Sequence, residues 1–147
     1  MLMHAPWAGR AVIDGALVLD VFAGTGALGL EALSRGAARA VFVERARPVL
    51  AALRTNIEAC RAGDRCEVLP IDALSMPAGP RADIVFLDPP YGQDLVARAL
   101  ARLRAVGRIG EGSVSVAETG RDEPALDVAA LAERSHGAAR LTIWRET

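Results

Sequence analysis

The stretch "ALVLDVFAGTGALGLEALSRGA", residues 16–37, decides the fold. It opens on an apolar run of strand length, "ALVLDVF" (16–22). Gly24, Gly26 and Gly29 follow in G-x-G-x-x-G spacing, which permits a tight turn and a close backbone approach to a ligand. Leu28, Leu30 and Leu33 then recur with helical spacing, and Gly36 fits a helix C-cap. Strand, glycine turn and helix thus stand in the order of a ligand-binding α/β unit.

The pattern repeats along the chain. "RAVFVE" (39–44) is a second strand, and 47–63 is a helix with Pro48 in its first turn and a stripe of Val49, Leu50, Leu53, Ile57 and Cys60. "CEVLPID" (66–72) and "ADIVFLD" (82–88) are the third and fourth strands, 93–107 a helix, and "GSVSVAE" (112–118) the fifth strand. A short helical piece is expected near 126–132. "LAERSHG" and "AARLTIWRE" then form an antiparallel hairpin turning at Gly137. The fold class that follows is α/β: a doubly wound, mostly parallel seven-stranded sheet with a C-terminal antiparallel hairpin. Ligands of such sheets bind outside the carboxyl ends of strands, where Asp20, Glu44, Asp72 and Asp88 fall.

Length and composition bound the answer. A chain of 147 residues suits one domain. Apolar residues make up 52% of it, but no charge-free run of membrane-span length occurs and no signal-peptide order is visible at the start, so a soluble cytoplasmic protein is expected. Cys60 and Cys66 are the only cysteines and are expected to be reduced; with no second pair, and with His4 and His136 far off in sequence, no metal site is expected. The net charge of −1 is not the footprint of a protein that grips nucleic acid by charge alone.

The strand-end residues carry the chemistry. The glycine turn alone also suits a dinucleotide pyrophosphate on a helix N-terminus. Asp20 argues against that, since a carboxylate there repels pyrophosphate. It suits a ligand bearing an ammonium or a sulfonium, and S-adenosylmethionine bears both. Glu44 stands twenty residues after Gly24, where a carboxylate accepts from a ribose diol. Asp72 can accept from an adenine amine, although an acid before a loop is often a helix cap.

In "DIVFLDPPYGQD" (83–94), Asp88 is followed by Pro89, Pro90 and Tyr91. Prolines fix φ and remove N–H donors, so their carbonyls face outward without competing amides. Asp88 and the Pro89 carbonyl offer two acceptors to the two N–H bonds of an exocyclic amine. The amine lone pair, otherwise delocalised into the base, is thereby freed for attack. Tyr91 can stack on that base, which is worth about 1–3 kcal/mol, and Asp88 can take the proton after attack. A plain strand-ending turn is the bland alternative for this motif. Trp7 and Trp144 read as packing residues and His136 as a hairpin residue. Glu118, ending strand five, is a candidate to line the pocket.

On these residues, "VLDVFAGTGALGLEALSRGA" (18–37) with "FLDPPY" (86–91), the chain resembles the Rossmann-like, S-adenosylmethionine-dependent amino-methyltransferases. It is most similar to the bacterial RsmD family, which methylates the N2 amine of a guanine in small-subunit ribosomal RNA. The likeness runs from about Met1 through the closing hairpin. It implies a methyltransferase fold over 1–147. It implies that Asp20, Gly24 and Gly26 shape the methionine end of the S-adenosylmethionine site, with Phe22, Ala23 and Thr25 in the same loop. Glu44 takes the ribose, and Asp72 with Ala73 the adenine. Asp88, Pro89 and Pro90 hold the amine, and Tyr91 stacks on the guanine. Ribosomal RNA, within the assembling small subunit, is the implied partner of a monomeric enzyme, with no membrane and no metal.

Family members usually carry a basic segment ahead of the point where this sequence starts, and the chain is expected to lack it. A truncated product or misassigned start is favoured over a partner that supplies the contacts, and poor RNA methylation is expected. Two other readings compete. A DNA adenine or cytosine amino-methyltransferase would need a target-recognition domain for which 147 residues leave no room. A non-catalytic nucleotide- or RNA-binding module would not need to keep the amine grip.

Overall fold

The computed structural model describes residues 10–90 and 92–147. The elements run α1 Arg10–Ile13, β1 Leu17–Val21, α2 Ala27–Ser34, β2 Arg39–Val43, α3 Arg47–Ala59, β3 Cys66–Leu69, β4 Ile84–Leu87, α4 Leu95–Ala105, β5 Val114–Gly120, β6 Ala130–His136 and β7 Ala139–Arg145. Short 3₁₀ turns at Gly63–Arg65 and Ala73–Ser75 flank β3. The seven strands form one sheet in the order β3-β2-β1-β4-β5-β7-β6. The first five are mutually parallel; β7 pairs antiparallel with β5 and β6 antiparallel with β7. The mostly parallel α/β sheet with a closing hairpin is as the sequence predicts.

The order reverses at β1. The chain steps outward from β1 to β2 and β3, then returns to the other side of β1 to lay down β4 and β5. A cleft opens outside the carboxyl ends where such a reversal occurs. The loops after β1 and β4, which carry the glycines and the prolines, meet there.

The central strands are buried on both faces, which explains their continuous apolar runs. One layer packs Val18, Phe42, Phe86 and Val116 under α2 and α3 with Leu33 and Leu53. The other packs Val21, Val43, Leu87 and Trp144 under α4 with Leu100 and Leu103. Trp144 is a core residue, as expected; Trp7 and His4 lie outside the described residues. Trp144 Nε1 donates to Glu146 at 2.7 Å, and Arg104 of α4 donates to the same carboxylate at 2.6 Å. Chiefly because of Arg104, and against partial burial, the Glu146 carboxyl is held below its ordinary range.

Two helix ends contrast. Gly36 closes α2 at φ 111°, with Ala37 N–H donating to Ala32 and Gly36 N–H to Leu33, the bond pair of a Schellman cap. The same pair closes α3, but Arg61 takes the left-handed position at φ 53°, so the helix stops at Ala59 and short of Gly63. The expected helical piece near 126–132 is not formed. Ala130–Ala132 belong to β6, with a bulge at Leu131. A seven-residue helix gains little of its own, whereas pairing with β7 satisfies the backbone from Ala130 on, and Leu126 and Val128 still reach the core.

Candidate active site

Four strand-end segments converge on a cavity of about 730 Å³. Phe22 and Gly24 follow β1, Glu44–Ala46 follow β2, Ile71–Leu74 follow β3, and Asp88, Pro89 and Pro90 follow β4. Gln93, Leu95 and Arg98 close it from the start of α4. The volume lies within the roughly 300–1,000 Å³ typical of small-molecule and cofactor sites.

The loop after β1 is shaped by backbone strain and close packing. Phe22, Gly24 and Gly26 all have positive φ, of 61°, 58° and 88°. Gly29 is needed for a different reason: a Cβ there would come within 2.4 Å of the Phe42 ring and 3.2 Å of Asp20 Oδ2. The Phe42 ring fills that space, and the Asp20 carboxylate beside it accepts from Gly29 N–H at 3.0 Å.

Asp20 therefore stands behind the cavity wall. It is 2% exposed, and burial above all pushes its carboxyl up to about 7, with the charges of Asp88 and Glu44 adding to the effect and the Gly29 N–H opposing it. It holds the start of α2 against β1. Ala23, Thr25 and Gly26 also stand off the cavity lining. The Thr25 carbonyl accepts from Asn56 Nδ2 at 2.9 Å, which ties the glycine loop to α3. Asn56 was legible only as a polar position in the α3 pattern.

Glu44 is placed where the spacing puts it. Oε1 accepts from Gly24 N–H at 3.0 Å and Oε2 from Ala46 N–H at 2.9 Å. These bonds fix the carboxylate plane at the cavity wall, and each oxygen keeps a further lone pair for a ligand. Asp72 accepts from Leu74 N–H at 2.9 Å and pairs with Arg45 at 3.1 Å. It is thus the cap of the 3₁₀ turn and also a wall of the cavity, with Ala73 beside it. The Arg45 pair is mostly solvated and worth little, about 0–1 kcal/mol.

Asp88 is exposed at the end of β4 and Pro89 is buried beneath it. Tyr91 lies outside the described residues. Gly92, Gln93 and Asp94 then take positive φ in succession, 91°, 61° and 54°, before α4 begins. Glu123, from the loop after β5, accepts from Gly92 N–H at 3.0 Å and also from Gly120 N–H. It clips the segment after the prolines to the end of β5. Glu118 borders a smaller cleft on the far side of Pro89 and Pro90 and does not line the main cavity.

Sequence reasoning missed the apolar walls, Val43, Val49, Ile71, Leu74 and Leu95. Each read as core or as loop filler. For Val43, Ile71 and Leu74 the only signal is position, one or two residues from Glu44 and Asp72; Val49 and Leu95 stand in the first turns of α3 and α4.

The family model described as Conserved hypothetical protein 95, the RsmD family, matches residues 3–145. The chain belongs to the RsmD family. Ribosomal RNA small subunit methyltransferase D of Escherichia coli is 37% identical over 115 residues, 77% of this chain and 57% of that protein. A solved Haemophilus influenzae structure, under the working name of a methylase, superposes with a TM-score of 0.85 at 28% identity, covering 93% of this chain and 90% of that one. An Escherichia coli structure, under the working name of a methyltransferase, gives 0.83 at 33% identity, covering 92% and 78%. The chain spans 58% and 57% of two curated RsmD-family relatives it matches. No helix among the described residues is long and apolar enough to cross a membrane.

Proposed function

We propose that this chain transfers a methyl group from S-adenosylmethionine to the exocyclic N2 amine of a guanine in small-subunit ribosomal RNA. The observation that carries the reading is the meeting, on one cavity at the sheet's switch point, of a ribose-type acceptor and an amine-gripping motif: Glu44 and Gly24 on one side, Asp88, Pro89 and Pro90 on the other. The name of the Escherichia coli relative points to the same reaction class.

The residues fit the cofactor. Glu44 presents two oxygens, already oriented by backbone N–H groups, to a ribose diol. Ile71, Leu74 and Leu95 form apolar walls around Asp72 and Ala73, which suits a flat base with one polar edge. Phe22 and Gly24 line the cavity, and Asp20 holds their loop from behind by accepting from Gly29 N–H. Bound there, S-adenosylmethionine supplies an electrophilic methyl on a positively charged sulfur.

The chain's own work is positioning. Asp88 and the Pro89 carbonyl accept the two N–H bonds of the amine and aim its lone pair at the cavity. The rigid prolines keep those acceptors from relaxing. Asp88, which is exposed, would take the proton that the amine loses on methylation and return it to water. Most of the acceleration comes from holding the reactants in line. The substrate is met as part of an assembling small subunit, by a cytoplasmic monomer.

Calorimetry with S-adenosylmethionine, followed by tritiated-methyl transfer to small subunits lacking the modification, tests this. Saturable binding and label in N2-methylguanosine are expected. Cofactor binding with label on another base, or with no label, would overturn the assignment.

A further inference from the structure

A net charge of −1 conceals an uneven distribution, because arginine gathers at the β3 edge of the sheet. Arg47 opens α3, between Ala46 and Val49, which both line the main cavity. Arg54 follows two turns on, so the two share one flank of the helix about 10.5 Å apart. Arg61 comes next at the same interval in sequence, in the left-handed position past the helix end. All three are exposed, and none of their side chains has a hydrogen bond or ion pair among the described residues. The arginines of α4 differ: Arg102 bonds the Met76 carbonyl and Arg104 the Glu146 carboxylate.

Arg54 and Arg61 border a groove of about 570 Å³ between α3 and β3. Ile57, Cys66 and Val68 give it an apolar lining, and Glu58 and Asp64 complete its rim. β3 is the outermost strand on this side, so no further strand covers the groove. Arg39 and Arg65 stand near enough for their charges to act on the Cys66 thiol, against the burial that pushes it up. Along α3 and β3, arginine thus outnumbers acid, which is limited to Glu58, Asp64 and Glu67.

We propose that Arg47, Arg54 and Arg61, with the groove beside them, dock the sugar–phosphate backbone of the RNA whose target base enters the main cavity. This rests on the RNA methyltransferase reading of the site. A guanidinium matches a phosphate bidentately, and its planar face also stacks on bases. The helix fixes the spacing of Arg47 and Arg54, so they offer a row of cation sites rather than diffuse charge. The row starts at the cavity rim, and α3, with 13 residues, carries it about 20 Å away. Nucleotides flanking the target can follow it. An acidic protein segment is the other polyanion such a row could hold. Continuity with the cavity that receives the base favours the RNA.

The test compares the unaltered chain with Arg47→Gln, Arg54→Gln, Arg61→Gln and the triple variant. Arg134→Gln is the control, an exposed arginine on β6 at the opposite edge of the sheet. Binding of a protein-free small-subunit ribosomal RNA transcript is read by filter retention across a range of salt. Each phosphate contact to a single strand contributes about 0.7 to the slope of log affinity against log salt. The triple variant should therefore lose about 2 from that slope, and about tenfold or more in affinity at low salt. Each single variant should lose about 0.7 from the slope, and Arg134→Gln should leave it unchanged. In methyl transfer the triple variant should raise KM by about tenfold, with kcat and cofactor affinity within about twofold. An unchanged slope in the triple variant, or an equal loss from Arg134→Gln, overturns the docking surface. So does weaker transfer to assembled subunits with unchanged binding to the transcript, which would put a protein on this face. Absence of both RNA binding and transfer in the unaltered chain overturns the substrate reading itself.

Discussion

The two halves of the cavity are held together by different means. The half after β1 and β2 is tied by its own backbone. Glu44 bonds Gly24 and Ala46, Asp20 bonds Gly29, and Asn56 bonds the Thr25 carbonyl. The half after β4 has few such ties. Prolines stiffen it, three residues sit at positive φ, and Glu123 clips it to β5. The first half is therefore part of the core, and damage there should appear as lost stability. The second half is an attachment to the core, and damage there should appear as lost turnover.

The sharpest separation comes from Asp88→Asn. The substitution keeps the shape but places an amide where an amine must be gripped. Removing a positioned base or acceptor typically costs 10²–10⁴-fold. Methyl transfer should fall by about a thousandfold, roughly 4 kcal/mol. Cofactor affinity by calorimetry should stay within about threefold and the melting temperature within a few degrees. A variant that retains a tenth of the activity would remove Asp88 from the chemistry.

Asp20→Asn probes the opposite half. Burial pushes the Asp20 carboxyl up to about 7 in the folded chain, against an ordinary value of 3.8. Between those values the folded state binds more protons than the unfolded one, so this residue lowers stability as pH rises through the window. Asparagine still accepts from Gly29 N–H and carries no charge. At pH 8 the variant should be more stable than the unaltered chain by up to a few kcal/mol, and near pH 4 the difference should vanish. Urea titrations across that range read it directly; a pH-independent difference would mean that Asp20 is ionised throughout.

Gly29→Ala should cost about 2 kcal/mol, because the new Cβ meets the packed Phe42 ring at 2.4 Å. For a chain of this size that is roughly 4–8 °C in melting temperature. A change of a degree or less would show that Phe42 can move aside, and the glycine would then be needed only for the turn.

What the sequence made legible follows the same division. The glycine loop, the Gly36 cap, the Gly137 hairpin and Glu44 were all readable, because each rests on local chemistry at a fixed spacing. Arg61 in the left-handed position of the α3 cap was not, since glycine is the residue that signals it. The 126–132 segment misled because its alanines and leucines have helical spacing, while the pairing that overrides them comes from β7. Asp20 was located at the right strand, but burial, which a sequence does not display, moves it from the ligand to the wall behind.

Glu123→Ala should have the smallest effect and separates the halves most finely. Its carboxylate accepts from Gly92 N–H and Gly120 N–H, joining the segment after the prolines to the end of β5. Gly92 is half-buried and its amide can bond water instead, while Gly120 is buried and its amide would lose its partner, so the loss in stability should be about 1–2 kcal/mol. The segment would nevertheless sample more positions, and each displaced position takes Asp88 and Pro89 off line. Turnover should fall by about tenfold with cofactor affinity unchanged. Glu123→Gln keeps one acceptor oxygen and should recover part of that loss. Equal losses in turnover and cofactor affinity would instead mean that the clip supports the whole cavity, and the two halves would have to be regarded as one mechanical unit.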